Sequence, residues 1–141
     1  MYVFRIFLGL VLFSPAVVLA QPVEIEVNDL SRFKPSRVTV SAGSKVVLSF
    51  KNSGKISKLK HSFVLLKKGV DVNQFGNALM AAANENGVPA KLKGDVLASS
   101  AMLGPGESAK LEFAAPEPGE YVFICGFPGH HSVSRGVLVV Q

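Results

Sequence analysis

From Val23 onward the chain breaks into short runs in which apolar and polar residues alternate, each closed by glycine, proline or a polar turn. This pattern constrains the fold more than any other feature. Val23, Ile25 and Val27 alternate with Glu24, Glu26 and Asn28, a period of two that suits a strand with one buried face. Pro35 interrupts the next stretch, and Val38 and Val40 resume the alternation. Ala42-Gly43-Ser44 reads as a tight turn before a strand at 46–50, and the polar, basic stretch 52–60 reads as a loop. Residues 61–66 read as a strand with Phe63 and Leu65 on one face and Val64 and Leu66 on the other. Further strands fall at 96–100 and 108–113, separated by Gly104-Pro105-Gly106, then at 120–125 and 136–141. Tyr121, Phe123 and Cys125 share one face of the 120–125 strand. Seven or eight short strands at this spacing predict an all-β, Greek-key β-sandwich of about eight strands.

One segment departs from the pattern. Val72, Phe75, Leu79 and Ala82 or Ala83 recur at spacings of three and four, which predicts an amphipathic helix inserted over 71–86. Asp71 is its expected cap, and it should end near Gly87 and Pro89. The N-terminus is of another kind. Met1 to Ala20 carries Arg5, an apolar run from Ile6 to Leu19, and the ending Val18-Leu19-Ala20, as expected of a signal peptide cleaved before Gln21. The apolar run is short for a bilayer span and contains Pro15. Residues 1–20 are therefore assigned as a leader and 21–141 as one domain, exported and with no membrane attachment after cleavage.

The formal charge is +5, one unit less once Arg5 leaves with the leader. The basic residues concentrate at Lys51, Lys55, Lys58, Lys60, Lys67 and Lys68, which reads either as a solvated loop or as a docking face for an acidic partner. No nucleic-acid-binding motif is present. Cysteine usage is more selective: an exported chain with a single cysteine, Cys125, can form no internal disulfide and carries one thiol into an oxidising compartment.

The surroundings of Cys125 point to metal chemistry. In Cys125-Gly-Phe-Pro-Gly-His130, a thiolate and an imidazole flank a stiff, apolar loop at a strand end. The chain holds three histidines: His130, His131, and His61 at the head of an apolar strand. Two imidazole nitrogens and one thiolate sulfur make the trigonal set of a copper site suited to one-electron exchange. The metal ligands expected are His61, Cys125 and His130. A nucleophilic role for Cys125 would need an orienting acid or amide and an oxyanion pocket, and neither is visible near the motif. The chain is read as a non-enzyme.

The segment Tyr121-Val-Phe-Ile-Cys-Gly-Phe-Pro-Gly-His130 resembles the copper loop of the cupredoxins, and within them of the azurins and azurin-like blue copper proteins. Lys60-His61-Ser-Phe-Val-Leu is similar to the segment carrying their first histidine. Leu103-Gly-Pro-Gly-Glu107 and the helical insertion, which resembles the azurin flap, extend the likeness over nearly all of residues 23–141. The resemblance implies an eight-stranded Greek-key sandwich, one type 1 copper ion, equatorial ligands His61, Cys125 and His130, and electron shuttling in the periplasm. It also implies redox partner proteins, such as a periplasmic cytochrome or oxidoreductase, and a monomeric state. The alternative reading is a periplasmic copper-binding or delivery protein.

The chain departs from the family pattern in three ways. It lacks the disulfide that azurins usually carry near the N-terminus. The position of the weak axial methionine, four residues after the second histidine, holds Ser134; Met80 and Met102 lie outside the motif. The axial place is left to Ser134, to water, to the Lys60 backbone carbonyl, or to nothing. A dry, vacant axis would favour Cu(I) and a higher potential, whereas a hard oxygen ligand would favour Cu(II). Thirdly, His131 follows the second ligand where the family has a small residue. It is expected to be an exposed imidazole or, alternatively, a polar group on a docking surface near His130, within an apolar patch of Phe127, Pro128, Val133 and Met80.

Overall fold

The computed structural model describes residues 17–56, 58–82 and 87–141. The leader lies outside the described residues as far as residue 16. The strands are β1 (Ala20–Val27), β2 (Phe33–Lys34), β3 (Arg37–Val40), β4 (Lys45–Asn52), β5 (Phe63–Leu66), β6 (Val96–Ser99), β7 (Ser108–Ala114), β8 (Gly119–Cys125) and β9 (Arg135–Val140), with one α-helix, α1 (Val72–Ala82), between β5 and β6. They form two sheets, ordered β2-β1-β4-β7 and β3-β9-β8-β5-β6. The pairs β1·β4 and β3·β9 are parallel, and the other neighbours are antiparallel.

Alternation in the sequence becomes a sandwich because each sheet turns its apolar face to the other. Val23, Ile25, Val27, Val46, Leu48 and Phe50 meet Phe63, Leu65, Tyr121, Phe123, Leu138 and Val140 in one core. At its centre Phe33, Phe50, Phe63 and Phe123 lie ring against ring, with centroids 5.2–6.5 Å apart, and each such aromatic pair adds about 1 kcal/mol beyond burial alone.

β5 is apolar on both faces because both are covered. Phe63 and Leu65 face the sandwich core, while Val64 and Leu66, with Ile124 of β8, lie under Phe75, Leu79 and Val88. The helix is thus the lid on the outer face of the five-stranded sheet. Its cap is the one expected: Asp71 Oδ1 accepts the backbone N–H groups of Asn73 and Gln74 at 2.9 and 2.8 Å, pairing two donors that a helix start leaves free. The helix is described to Ala82; the expected continuation to 86 lies outside the described residues.

Three short elements were not anticipated. The 3-10 turns at Ala90–Asp95 and His130–Ser132 are too short to register a helical period, and β2 is a two-residue strand paired with the end of β1.

Candidate metal centre

His61 sits immediately before β5, fixed by two backbone bonds with Leu103: His61 N–H donates to the Leu103 carbonyl at 3.0 Å, and Leu103 N–H returns the bond at 2.7 Å. Asn52, the last residue of β4, braces this pair. Fully buried, it donates from Nδ2 to the carbonyls of Leu103 and Leu59 at 3.1 and 3.2 Å and accepts Gly54 N–H at 3.0 Å. Nothing in the local sequence marks Asn52, because a polar residue there reads as the start of the loop.

Strand register then brings the cysteine alongside. Phe63 of β5 pairs with Cys125 of β8, so His61 lies just past the end of the pair, beside the loop that leaves Cys125. Gly126 N–H donates to Ser62 Oγ at 3.1 Å. A Cβ on Gly126 would come within 2.5 Å of that oxygen and 2.9 Å of Val64 Cγ2, so only glycine allows the loop to lie this close. Gly129, at φ +86°, supplies the left-handed turn before His130. His130 N–H donates to the Phe127 carbonyl at 3.0 Å, Ser134 N–H to the His130 carbonyl at 2.8 Å, and Cys125 N–H to the Ser134 carbonyl at 3.1 Å, closing the loop onto β9.

The three expected ligands converge. Cys125 Sγ is 3.6 Å from His61 Nδ1 and 3.7 Å from His130 Nδ1, and one donor atom from each residue lies within 4.8 Å of the others. His61 and Cys125 have no solvent exposure and His130 is half-buried. The rings of His61 and His130 are 5.1 Å apart, and the Phe127 ring covers His130 at 4.5 Å.

Burial governs the protonation states. It lowers His61 to about 4, with the neighbouring His130 adding to the effect and Asp29 opposing it. It lowers His130 as well and pushes the Cys125 thiol up to about 11, against two backbone N–H groups that favour the thiolate. The site therefore presents two neutral imidazoles, the form that binds a metal, and a thiol that gives up its proton when it does.

The donors fit a metal ion. For a trigonal centre with bonds of about 2.0 Å to nitrogen and 2.3 Å to sulfur, adjacent donors stand roughly 3.7 Å apart, the separation seen on both sides of Cys125. His61 Nε2 is buried and has no hydrogen-bond partner, so this ring is not held by hydrogen bonds at that nitrogen, while its Nδ1 faces the other two donors. Soft sulfur with two imidazoles is a donor set that suits copper.

Two neighbouring residues depart from expectation. His131 is neither an exposed imidazole nor a surface group: it is buried, only 7% exposed, with its ring packed against Gly76 of α1. The hint was a glycine inside an amphipathic helix pattern, but the partner that needed the space was not legible. Ser134 is fully buried and donates its hydroxyl to the Ser31 carbonyl. Of the proposed apolar patch, Met80 and Val133 are about half exposed, while Phe127 and Pro128 are partly buried.

Known proteins carry the same frame. Residues 3–140 match the family described as Cupredoxin-like domain. Auracyanin-A of Chloroflexus aurantiacus is 35% identical over 125 residues, covering 85% of this chain and 75% of that protein. Azurin-1 of Alcaligenes xylosoxydans xylosoxydans is 34% identical, covering 82% of this chain and 94% of its own length. The crystal structure of dithionite-reduced auracyanin from Roseiflexus castenholzii superposes with a TM-score of 0.76 at 31% identity, covering 85% of this chain and 96% of that one. A Greek-key sandwich with a helical insertion, two imidazoles and one thiolate gathered at its end, and relatives of this kind lead to one conclusion: the chain belongs to the cupredoxin-like family, with His61, Cys125 and His130 as its candidate type 1 copper site.

Proposed function

We propose that this chain is an exported carrier of single electrons that holds one copper ion between His61, Cys125 and His130. The observation that carries the reading is the convergence of Cys125 Sγ with the two Nδ1 atoms at 3.6 and 3.7 Å. Bound there, copper supplies one-electron redox chemistry coupled to a thiolate. Auracyanin A of Chloroflexus aurantiacus is described as a "blue" copper protein, which supports the same reading. The chain's own part is to hold the donors still and keep water from them. Cys125 and His61 are sealed by the sandwich core, and Phe127 covers one face of His130. His130 alone among the three reaches solvent, so it offers the path between site and surface.

The surface around that path suits a protein partner. Apart from the N-terminal segment, the large apolar side chains exposed among the described residues are Leu30, Ile56, Met80 and Val133. Ile56 lies on the loop that leads to His61, Leu30 adjoins Ser31, whose carbonyl takes the Ser134 hydroxyl, and Val133 N–H bonds the His130 carbonyl. Met80 lies one helical turn beyond Gly76, on the same face of α1. Lys55, Lys58 and Lys60 are exposed on the loop leading to His61. We read this face as the contact for a redox partner with an acidic rim, such as a periplasmic cytochrome or oxidoreductase. The periplasmic location rests on the leader at residues 1–20, and a monomer acting as carrier rather than enzyme is part of the same reading.

The test is kinetic. Copper-loaded protein of residues 21–141 is expected to exchange electrons between its own oxidised and reduced forms rapidly while retaining its metal against a chelator. Slow exchange with ready release of copper would instead favour copper delivery.

A further inference from the structure

Gly76 lies inside α1, where glycine costs about 1 kcal/mol relative to alanine. It is buried, and a Cβ added there would lie 2.1 Å from His131 Cγ, 2.2 Å from Cδ2 and 2.5 Å from Nδ1. The missing side chain is the space that the His131 ring fills. His131 directly follows His130, so the helix touches the loop one residue from a metal donor. A second tie runs beside the first. Arg135, at the start of β9, donates from Nη2 to Asn73 Oδ1 at 2.6 Å and from Nε to the His131 carbonyl. Asn73 and Gly76 are three residues apart on α1, hence on one face, and His131 and Arg135 bracket the stretch in which the loop turns back into β9.

Ordinary packing of a helix on a sheet does not require this arrangement. α1 is already anchored through Phe75 and Leu79, which pack with Val64 and Ile124 on the outer face of the sheet, and its start is capped by Asp71. The Asn73–Gly76 face makes none of those contacts. It meets the loop instead, with a guanidinium serving the helix and the loop backbone at once, and with a glycine that disfavours the helix in order to admit a ring. On its inner side the loop is pinned by Cys125 N–H to Ser134 and Gly126 N–H to Ser62. The α1 contacts pin its outer side.

We propose that Asn73, Gly76, His131 and Arg135 are positioning residues that lock α1 to the ligand loop and thereby fix the orientation of the His130 ring. The metal consequences of this lock rest on the copper reading; the mechanical ones do not. With both sides held, the loop keeps His130 Nδ1 aimed at Cys125 without help from a bound ion. Residues that orient a metal ligand in this way change metal affinity by about 10- to 100-fold when removed.

The experiment uses the full chain without its leader and four substitutions: Gly76→Ala, Asn73→Leu, Asn73→Asp and, as a control on an exposed position of α1, Asn77→Ala. A fifth protein combines Gly76→Ala with His131→Ser. Amide hydrogen exchange in the metal-free proteins reads the loop directly at the N–H groups of His130, Val133 and Ser134. Gly76→Ala and Asn73→Leu are expected to speed exchange there at least about tenfold, the effect of losing one charge-assisted hydrogen bond. Asn73→Asp, which keeps an acceptor for Arg135, and Asn77→Ala are expected to stay near the parent, while the double variant, which relieves the clash but loses the His131 ring contact and keeps the Arg135 tie, is expected to fall between the parent and Gly76→Ala. With Cu(II), the two disruptive variants should lose affinity about tenfold or more and change the electron paramagnetic resonance hyperfine splitting. Parent-like exchange at all three amides in both Gly76→Ala and Asn73→Leu would overturn the lock, as would an equal effect from Asn77→Ala. A parent chain without thiolate charge transfer would sink the copper reading separately, while the exchange data still decide whether α1 holds the loop.

Discussion

At Cys125 a thiol raised to about 11 by burial must give up its proton for sulfur to bind metal. Copper binding near pH 7 is therefore expected to release about one proton per ion. Calorimetric titration in buffers of different ionisation enthalpy measures the number, and a value near zero would mean that Cys125 is not a ligand. His61 has the opposite character. The folded, metal-free chain holds it to about 4, while in the unfolded chain it takes a proton near 6.5. On acidification the unfolded state is protonated first, so the metal-free fold loses stability as pH falls from about 6.5 to 4, on the order of 2 kcal/mol. His130 and His131 are also lowered and act with the same sign. Urea midpoints at pH 7 and pH 4.5 should differ accordingly, and the difference should shrink in His61→Phe.

Among the elements, the end of β4 and the four-phenylalanine centre carry separate duties. Asn52→Leu leaves Gly54 N–H and the Leu59 carbonyl without their partner and removes one of two donors from the Leu103 carbonyl. An expected loss of about 3 kcal/mol should come with weaker copper retention, because the same residue braces His61. Phe50→Ala, which removes a fully buried ring of the aromatic centre and none of the donors, should cost a similar ~3–5 kcal/mol while leaving the thiolate charge-transfer band of the copper-bound protein in place. Denaturant unfolding with visible spectroscopy separates the two. Strands such as β1 and β8 were readable in the sequence because one face of each meets the core and the other does not, which leaves a period of two. The helix was readable from Phe75 and Leu79, and its cap from Asp71. The 3-10 turn at Ala90–Asp95 completes no helical repeat and left no signal. The candidate metal ligands stood out because cysteine and histidine are scarce and chemically specific. Their supports did not: Asn52, Ser62 and Gly76 acquire meaning only from partners that the fold brings across long stretches of chain. For the same reason the burial of His131 is not legible in the sequence, since it depends on a glycine 55 positions earlier.

Across the whole molecule the two sheets serve one end. The three donors gather where β5 begins and β8 ends, and the loop that leads into His61 carries the exposed Lys55, Lys58 and Lys60. No helix among the described residues is long and apolar enough to cross a membrane. If the partner presents acidic groups, electron transfer should slow as salt rises, since exposed charges are screened beyond about 8 Å at physiological ionic strength. Replacing Lys55, Lys58 and Lys60 together by glutamate should cut the low-salt association rate by about tenfold or more, measured by stopped-flow reduction with an acidic cytochrome, and a rate unchanged by salt and substitution would remove these lysines from the contact. The central claim is that Cys125 thiolate and two imidazoles hold copper, and a visible absorption spectrum of the Cu(II)-loaded chain tests it most directly. The account predicts intense thiolate-to-copper charge transfer that is absent in Cys125→Ser; a colourless adduct, or a band that survives that substitution, would contradict it.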